Sequence, residues 1–107
     1  MNAILRRELS RVVRSLVSRY QPEQIILFGS MASGDTRAWS DIDLAVVKKT
    51  RRRFLDRLKD ALIAARSKEA LDVLVYTPEE VESMELNRNP FWVHEIKEKG
   101  RIVYQRA

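Results

Sequence analysis

Three aspartates and a Gly-Ser pair carry the side chains in this sequence that could do chemistry. Asp41 and Asp43 open the run Asp41-Ile42-Asp43-Leu44-Ala45-Val46-Val47, which alternates in part and reads as a strand. Residues two apart on a strand leave the same face, so both carboxylates project together. Such a pair costs stability unless a cation lies between or beside it, and one or two Mg²⁺ ions would supply that charge. Upstream, Gly29-Ser30 follows the apolar run Ile25-Ile26-Leu27-Phe28. Gly29 has no Cβ to keep a ligand off the backbone. Ser30 offers a hydroxyl and an N–H, and if a helical turn starts there, unpaired N–H groups converge on a spot that attracts phosphate. Asp72, in Leu71-Asp72-Val73-Leu74-Val75, is a third carboxylate set among core-type residues. On a neighbouring strand it would join the other two, complete a metal's coordination and take the proton from an attacking hydroxyl.

Composition narrows the options further. With no cysteine, disulfides, thiolate catalysis and Cys-ligated zinc are excluded, and the single histidine, His94, cannot build an imidazole site. Metal chemistry must therefore use oxygen ligands, which suit Mg²⁺, Mn²⁺ or Ca²⁺. A net charge of +5 suits a nucleotide, a nucleic acid or an acidic protein partner without choosing among them. No segment reads as a signal peptide or membrane span, so the expected setting is cytoplasmic and away from membranes. A length of 107 residues at 45% hydrophobic content fits one domain, 1–107, with its own core.

The elements that must position these residues can be read from periodicity. Ile4, Leu5, Leu9, Val12, Val13, Leu16 and Val17 recur at helical spacing and predict a helix over 2–19, ended by Pro22. Ile25–Phe28 reads as a buried strand, 29–40 as a loop with one helical turn, and 41–47 as a second strand. Thr50 is the expected cap of a helix over 51–67, followed by a third strand at 71–76. Thr77-Pro78-Glu79-Glu80 has the composition of a capping box. Asn89-Pro90 opens another short helix ending at Gly100, and 101–105 reads as a last strand with Ile102 and Tyr104 on one side and Val103 on the other. This order predicts an α/β (α+β) domain, a small mixed sheet flanked by helices.

Gly29-Ser30, ten intervening residues, then Asp41-x-Asp43 is similar to the signature of the DNA polymerase β-like nucleotidyltransferase superfamily. The wording Phe28-Gly29-Ser30…Gly34…Ser40-Asp41-Ile42-Asp43-Leu44 and the small size resemble its minimal nucleotidyltransferase branch, over essentially the whole chain. The resemblance implies the polymerase β-like fold. It implies that Gly29 and Ser30 hold a nucleoside triphosphate, most naturally ATP, with Ser40 as a further nucleotide-binding residue. Asp41 and Asp43 would bind two Mg²⁺ ions, with Asp72 as third carboxylate. An acceptor hydroxyl would attack the α-phosphate and expel pyrophosphate. Relatives of this size are often encoded beside a HEPN-type toxin and act as antitoxins that transfer AMP to it. Many carry an arginine just after the Gly-Ser pair; here that stretch is Met31-Ala32-Ser33, and the phosphate contact either passes to Arg37 or is lost.

Plainer readings stand beside these. Gly34 fits a turn needing positive φ. Ser40 could only support its turn, and Trp39 could only pack. Lys48, Lys49, Arg51, Arg52 and Arg53 form a basic run that is either a nucleic-acid or partner surface or a solvated helix start. His94 has no assigned role. Phe91, Trp92, Val93 and Ile96 either pack their helix down or in part form an apolar patch for a homo- or hetero-oligomer. Three rival functions follow: transfer of a nucleotide to a small molecule, occlusion of a toxin without catalysis, and nucleic-acid binding through the basic run.

Overall fold

The structure is a computed structural model that describes residues 3–34 and 41–107. In chain order the elements are α1 (Ala3–Tyr20), β1 (Gln24–Phe28), α2 (Ser30–Ser33), β2 (Ile42–Val47), α3 (Phe54–Ala65), β3 (Leu71–Tyr76), α4 (Pro78–Leu86), α5 (Phe91–Glu98) and β4 (Arg101–Gln105). The strands form one sheet in the order β3-β2-β1-β4. β1 is antiparallel to both β2 and β4, while β2 and β3 are parallel and joined through α3. The mixed sheet expected from the sequence is therefore present.

Strand alternation divides the core into two layers. Ile25, Leu27, Ile42, Leu44, Val46, Val73 and Val75 face α1 and α3 and pack with Leu5, Val12 and Leu16. The residues between them, Ile26 and Ala45, face the other way and pack with Trp92 and Ile96 of α5, bordered by Phe28, Tyr76, Val81 and Met84. This continuous burial on both faces explains why β1 and β2 read as apolar runs. The face of α3 turned inward carries Ala61, Ala64 and Ala65, and such small side chains let α1 approach closely enough for Ser15 Oγ to donate to the Ala64 carbonyl at 2.6 Å.

Among the described residues, two charged ones are buried along with this core. Glu8, 6% exposed, accepts from Arg11 Nε and Nη2 at 2.9 Å each, from Ser67 Oγ at 3.1 Å and from the Lys68 N–H. It thereby ties the loop before β3 to α1. Arg57, 8% exposed, donates to the Arg52 carbonyl at 2.7 Å and the Val75 carbonyl at 3.3 Å, and pairs with Glu80 at 2.7 Å. Neither residue stands out in the sequence from the exposed charges around it.

Several boundaries differ from the sequence expectation. α3 starts at Phe54, with Arg53 in the capping position, because Thr50 Oγ1 accepts from the Arg52 N–H at 3.0 Å and closes a turn upstream instead. It ends at Ala65, where Arg66 turns left-handed with φ 50°. α5 is wound more widely than an α-helix: the Lys99 N–H reaches back to the His94 carbonyl, five residues earlier. In β4 the register shifts, with Ile25 opposite Tyr104 but Ile26 opposite Ile102. Val103 is the extra residue of a bulge, so Val103 and Tyr104 both pack on the α1/α3 side while Ile102 is 61% exposed. That bulge overturns the expected pairing of Ile102 with Tyr104 on one side. The capping box is as expected, with Thr77 Oγ1 accepting from the Glu80 N–H at 3.1 Å and Glu80 Oε1 from the Thr77 N–H at 2.8 Å.

Candidate active site

β1 runs opposite to β2, and β2 runs with β3, so the end of β1 meets the starts of the other two. The register places Phe28 opposite Asp43, and Asp43 opposite Asp72. All three share the sheet face that carries α4 and α5. Asp43 is half-buried, whereas Asp72 and Asp41, the residue before β2, are exposed.

The Asp43 and Asp72 carboxyls are near enough to share a hydrogen bond when one of them carries a proton. Burial is the largest cause, followed by the charge of Asp72 and this hydrogen bond and then the charge of Asp41, that pushes the Asp43 carboxyl up to about 6. The protein thus holds together carboxylates that repel one another, an arrangement with the hard oxygen donors and surplus negative charge a divalent cation prefers. Among the described residues, no set of three or more carboxylate or imidazole side chains is gathered to hold a metal ion. The predicted trio is present as a convergent pair, Asp43 and Asp72, with Asp41 beside it as a third charge.

The Gly-Ser loop stands directly against this pair. Gly29 has φ 75° and ψ −155°, a region essentially reserved for glycine, and a Cβ built on it would overlap the Asp43 carboxylate. Chain direction then reverses into the single turn α2, whose first bonds run from the Ala32 and Ser33 N–H groups to the Gly29 carbonyl at 3.1 and 3.2 Å. Gly34 closes the turn left-handed, with φ 85°. Ser30 is thereby held within one residue of the contact with Asp43. Arg37, Ser40 and Trp39 lie outside the described residues.

An aromatic wall borders the pair, built in part from the Phe91-Trp92 segment whose sequence is open to packing or to an apolar patch. Phe28, cross-strand from Asp43, meets Phe91 of α5 edge-on at 5.7 Å between ring centroids. Phe91 remains 41% exposed, whereas Trp92 is buried, with Nε1 donating to Glu85 at 2.9 Å. The signal for this wall is the aromatic residue immediately preceding Gly29, together with the helix start at Pro90.

The basic run is largely consumed by internal contacts. Lys48 Nζ donates to the Tyr20 carbonyl at 2.6 Å and lies over the Tyr20 ring. Arg52 pairs with Asp60 at 2.9 Å and Arg53 with Asp56 at 3.6 Å. These contacts favour the structural reading of the run. His94 pairs along its own helix with Glu98 at 3.2 Å, away from the aspartates.

Comparison with known proteins agrees with this geometry. The family described as polymerase beta, nucleotidyltransferase, matches residues 11–107. The probable protein adenylyltransferase MntA of Haemophilus influenzae is 29% identical over 91 residues, covering 82% of this chain and 80% of its own. A crystal structure from Sulfolobus solfataricus, provisionally assigned as a nucleotidyltransferase, superposes with a TM-score of 0.66 at 22% identity, over 94% of this chain and 79% of that one, and so shares the fold. With the Gly29-Ser30 loop, the Asp41-x-Asp43 strand and the family match all in place, the chain belongs to the polymerase β nucleotidyltransferase family.

Proposed function

We propose that this protein is a Mg²⁺-dependent nucleotidyltransferase that moves AMP from ATP to a hydroxyl of a protein partner, a HEPN-type toxin, and so acts as its antitoxin. The observation that carries the reading is the Asp43–Asp72 pair held against Gly29. The likeness to the MntA protein supports the adenylyl group and the protein acceptor. Mg²⁺ held by Asp41, Asp43 and Asp72 would stabilise charge on the phosphate oxygens. Exposed Asp41 has the rotational freedom to join the pair once a cation lowers their mutual repulsion.

The residues of this chain divide the remaining work. Ser30 and the Gly29 backbone position the triphosphate. Asp72, the more exposed of the pair, accepts the proton of the incoming hydroxyl. A bond forms between the acceptor oxygen and the α-phosphorus, the bond to the bridging oxygen breaks, and pyrophosphate leaves.

The test is incubation of the protein with α-labelled ATP, Mg²⁺ and the toxin encoded beside it, with the Asp43→Asn and Asp72→Asn variants in parallel. Label on the toxin that disappears in both variants supports the proposal. A tight complex that neutralises the toxin without label, equally well in both variants, would establish occlusion instead.

A further inference from the structure

A cleft of about 530 Å³ opens between α1, α2 and the start of β4, on the sheet face opposite Asp43. Leu9 and Met31 are among its apolar lining residues, Ala32, Ser33 and Gly34 also line it, and Arg6 and Arg101 are its two cationic residues. The two arginines are 95 positions apart in the chain (101 − 6) and come from different elements, so only the fold brings them together. Among the described residues, neither guanidinium has a hydrogen-bonding or ion-pair partner. By contrast, Arg11, Arg52, Arg53 and Arg57 all have carboxylate partners. Two planar donor forks on a concave wall match a phosphate group, which guanidinium binds in bidentate fashion. The same cleft is lined by α2, the turn that continues directly from Gly29-Ser30.

We propose that this cleft is a phosphate-binding site, with Arg6 and Arg101 as its charged donors. The inference deepens the proposed function only in its location beside the Gly-Ser loop; the binding itself requires neither catalysis nor a divalent ion. The phosphate comes either from the tail of the nucleoside triphosphate, reaching around α2, or from a separate free polyphosphate such as the pyrophosphate product.

Calorimetric titration with inorganic tripolyphosphate, without divalent metal, tests the site. The wild-type protein is expected to bind, and Arg6→Gln with Arg101→Gln to weaken binding by about tenfold or more. Arg7→Gln with Arg14→Gln removes the same charge from elsewhere on α1 and should leave binding within about twofold. Both pairs replace exposed residues, and a melting curve verifies that the fold survives. Equal weakening in the two double variants, or no binding by the wild-type protein, would overturn the proposal. Competition between ATP and tripolyphosphate would identify the nucleotide tail as the source. Simultaneous binding of both would identify a separate phosphate ligand. Asp43→Asn should keep tripolyphosphate binding even if it never supports transfer, so failure of this site and failure of the proposed reaction are distinguishable.

Discussion

The α-carbon of Gly29 abuts the carboxylate of Asp43, so the phosphate loop and the acidic pair are built as one contact. Any side chain at position 29 must both adopt φ 75° and displace Asp43. Gly29→Ala is therefore expected to destabilise the fold by about 1–3 kcal/mol from backbone strain alone. Nucleotide transfer should fall by about a hundredfold or more, since displacement of a reacting geometry by an ångström has that order of effect. A melting curve and the labelling assay together measure this; near-normal transfer in the variant would refute the contact's role.

Asp43 should oppose folding at neutral pH. Its carboxyl is raised from 3.8 to about 6, so its contribution to stability is complete below 3.8 and is lost as pH rises through about 6. After allowance for screening by solvent at this half-buried site, Asp43→Asn should gain about 1–2 kcal/mol at pH 7.5 without divalent metal, and little at pH 4. Denaturant unfolding at the two pH values checks the sign.

Divalent metal should narrow that gap. Millimolar Mg²⁺ or Mn²⁺ is expected to raise the melting temperature of the wild-type protein by a few degrees, as a ligand that binds only the folded state must. The increase should vanish in Asp43→Asn and shrink in Asp72→Asn and Asp41→Asn. An equal rise in all four proteins would show that the aspartates do not hold the ion.

Glu8 behaves in the opposite sense to Asp43. The Arg11 guanidinium, helped by the Lys68 N–H and the Ser67 hydroxyl, holds its carboxyl well down, from 4.5 to about 2, against the effect of burial. Its contribution is present above 4.5 and lost as pH falls through about 2. Beside half-buried Arg11 the effect is partly screened, so Glu8→Gln should cost about 1–2 kcal/mol at pH 7 and progressively less below pH 4.5. Unfolding free energies of the variant and wild type across this range decide it.

Arg57 is buried by α3 and β3 and satisfied on both sides by the Arg52 and Val75 carbonyls and by Glu80. Arg57→Ala should cost about 3 kcal/mol, because it takes a donor from two carbonyls and leaves Glu80 with the Thr77 N–H but no ion-pair partner. Glu80→Gln keeps one acceptor oxygen and is expected to cost less. Chemical denaturation of both variants tests the order; equal losses would argue against the network.

Much of the site and most of the fold could be read from residue types and local spacing. Strand alternation put Asp41 and Asp43 on one face, the apolar run before Gly29 marked β1, and Thr77-Pro78-Glu79-Glu80 marked the start of α4, because each depends only on neighbours within one element. Tertiary structure decided what depends on how elements meet. The parallel register of β2 and β3 set Asp72 beside Asp43, and the antiparallel return of β1 pressed Gly29 against the same carboxylate. The bulge at Val103 reversed the expected sides of β4, and burial separated Glu8 and Arg57 from the charged residues they resemble in the sequence. Contacts of this kind join residues tens of positions apart, and no local period records them. Arg6 and Arg101 are the extreme case, since nothing short of the folded sheet brings the two ends of the chain to one cleft.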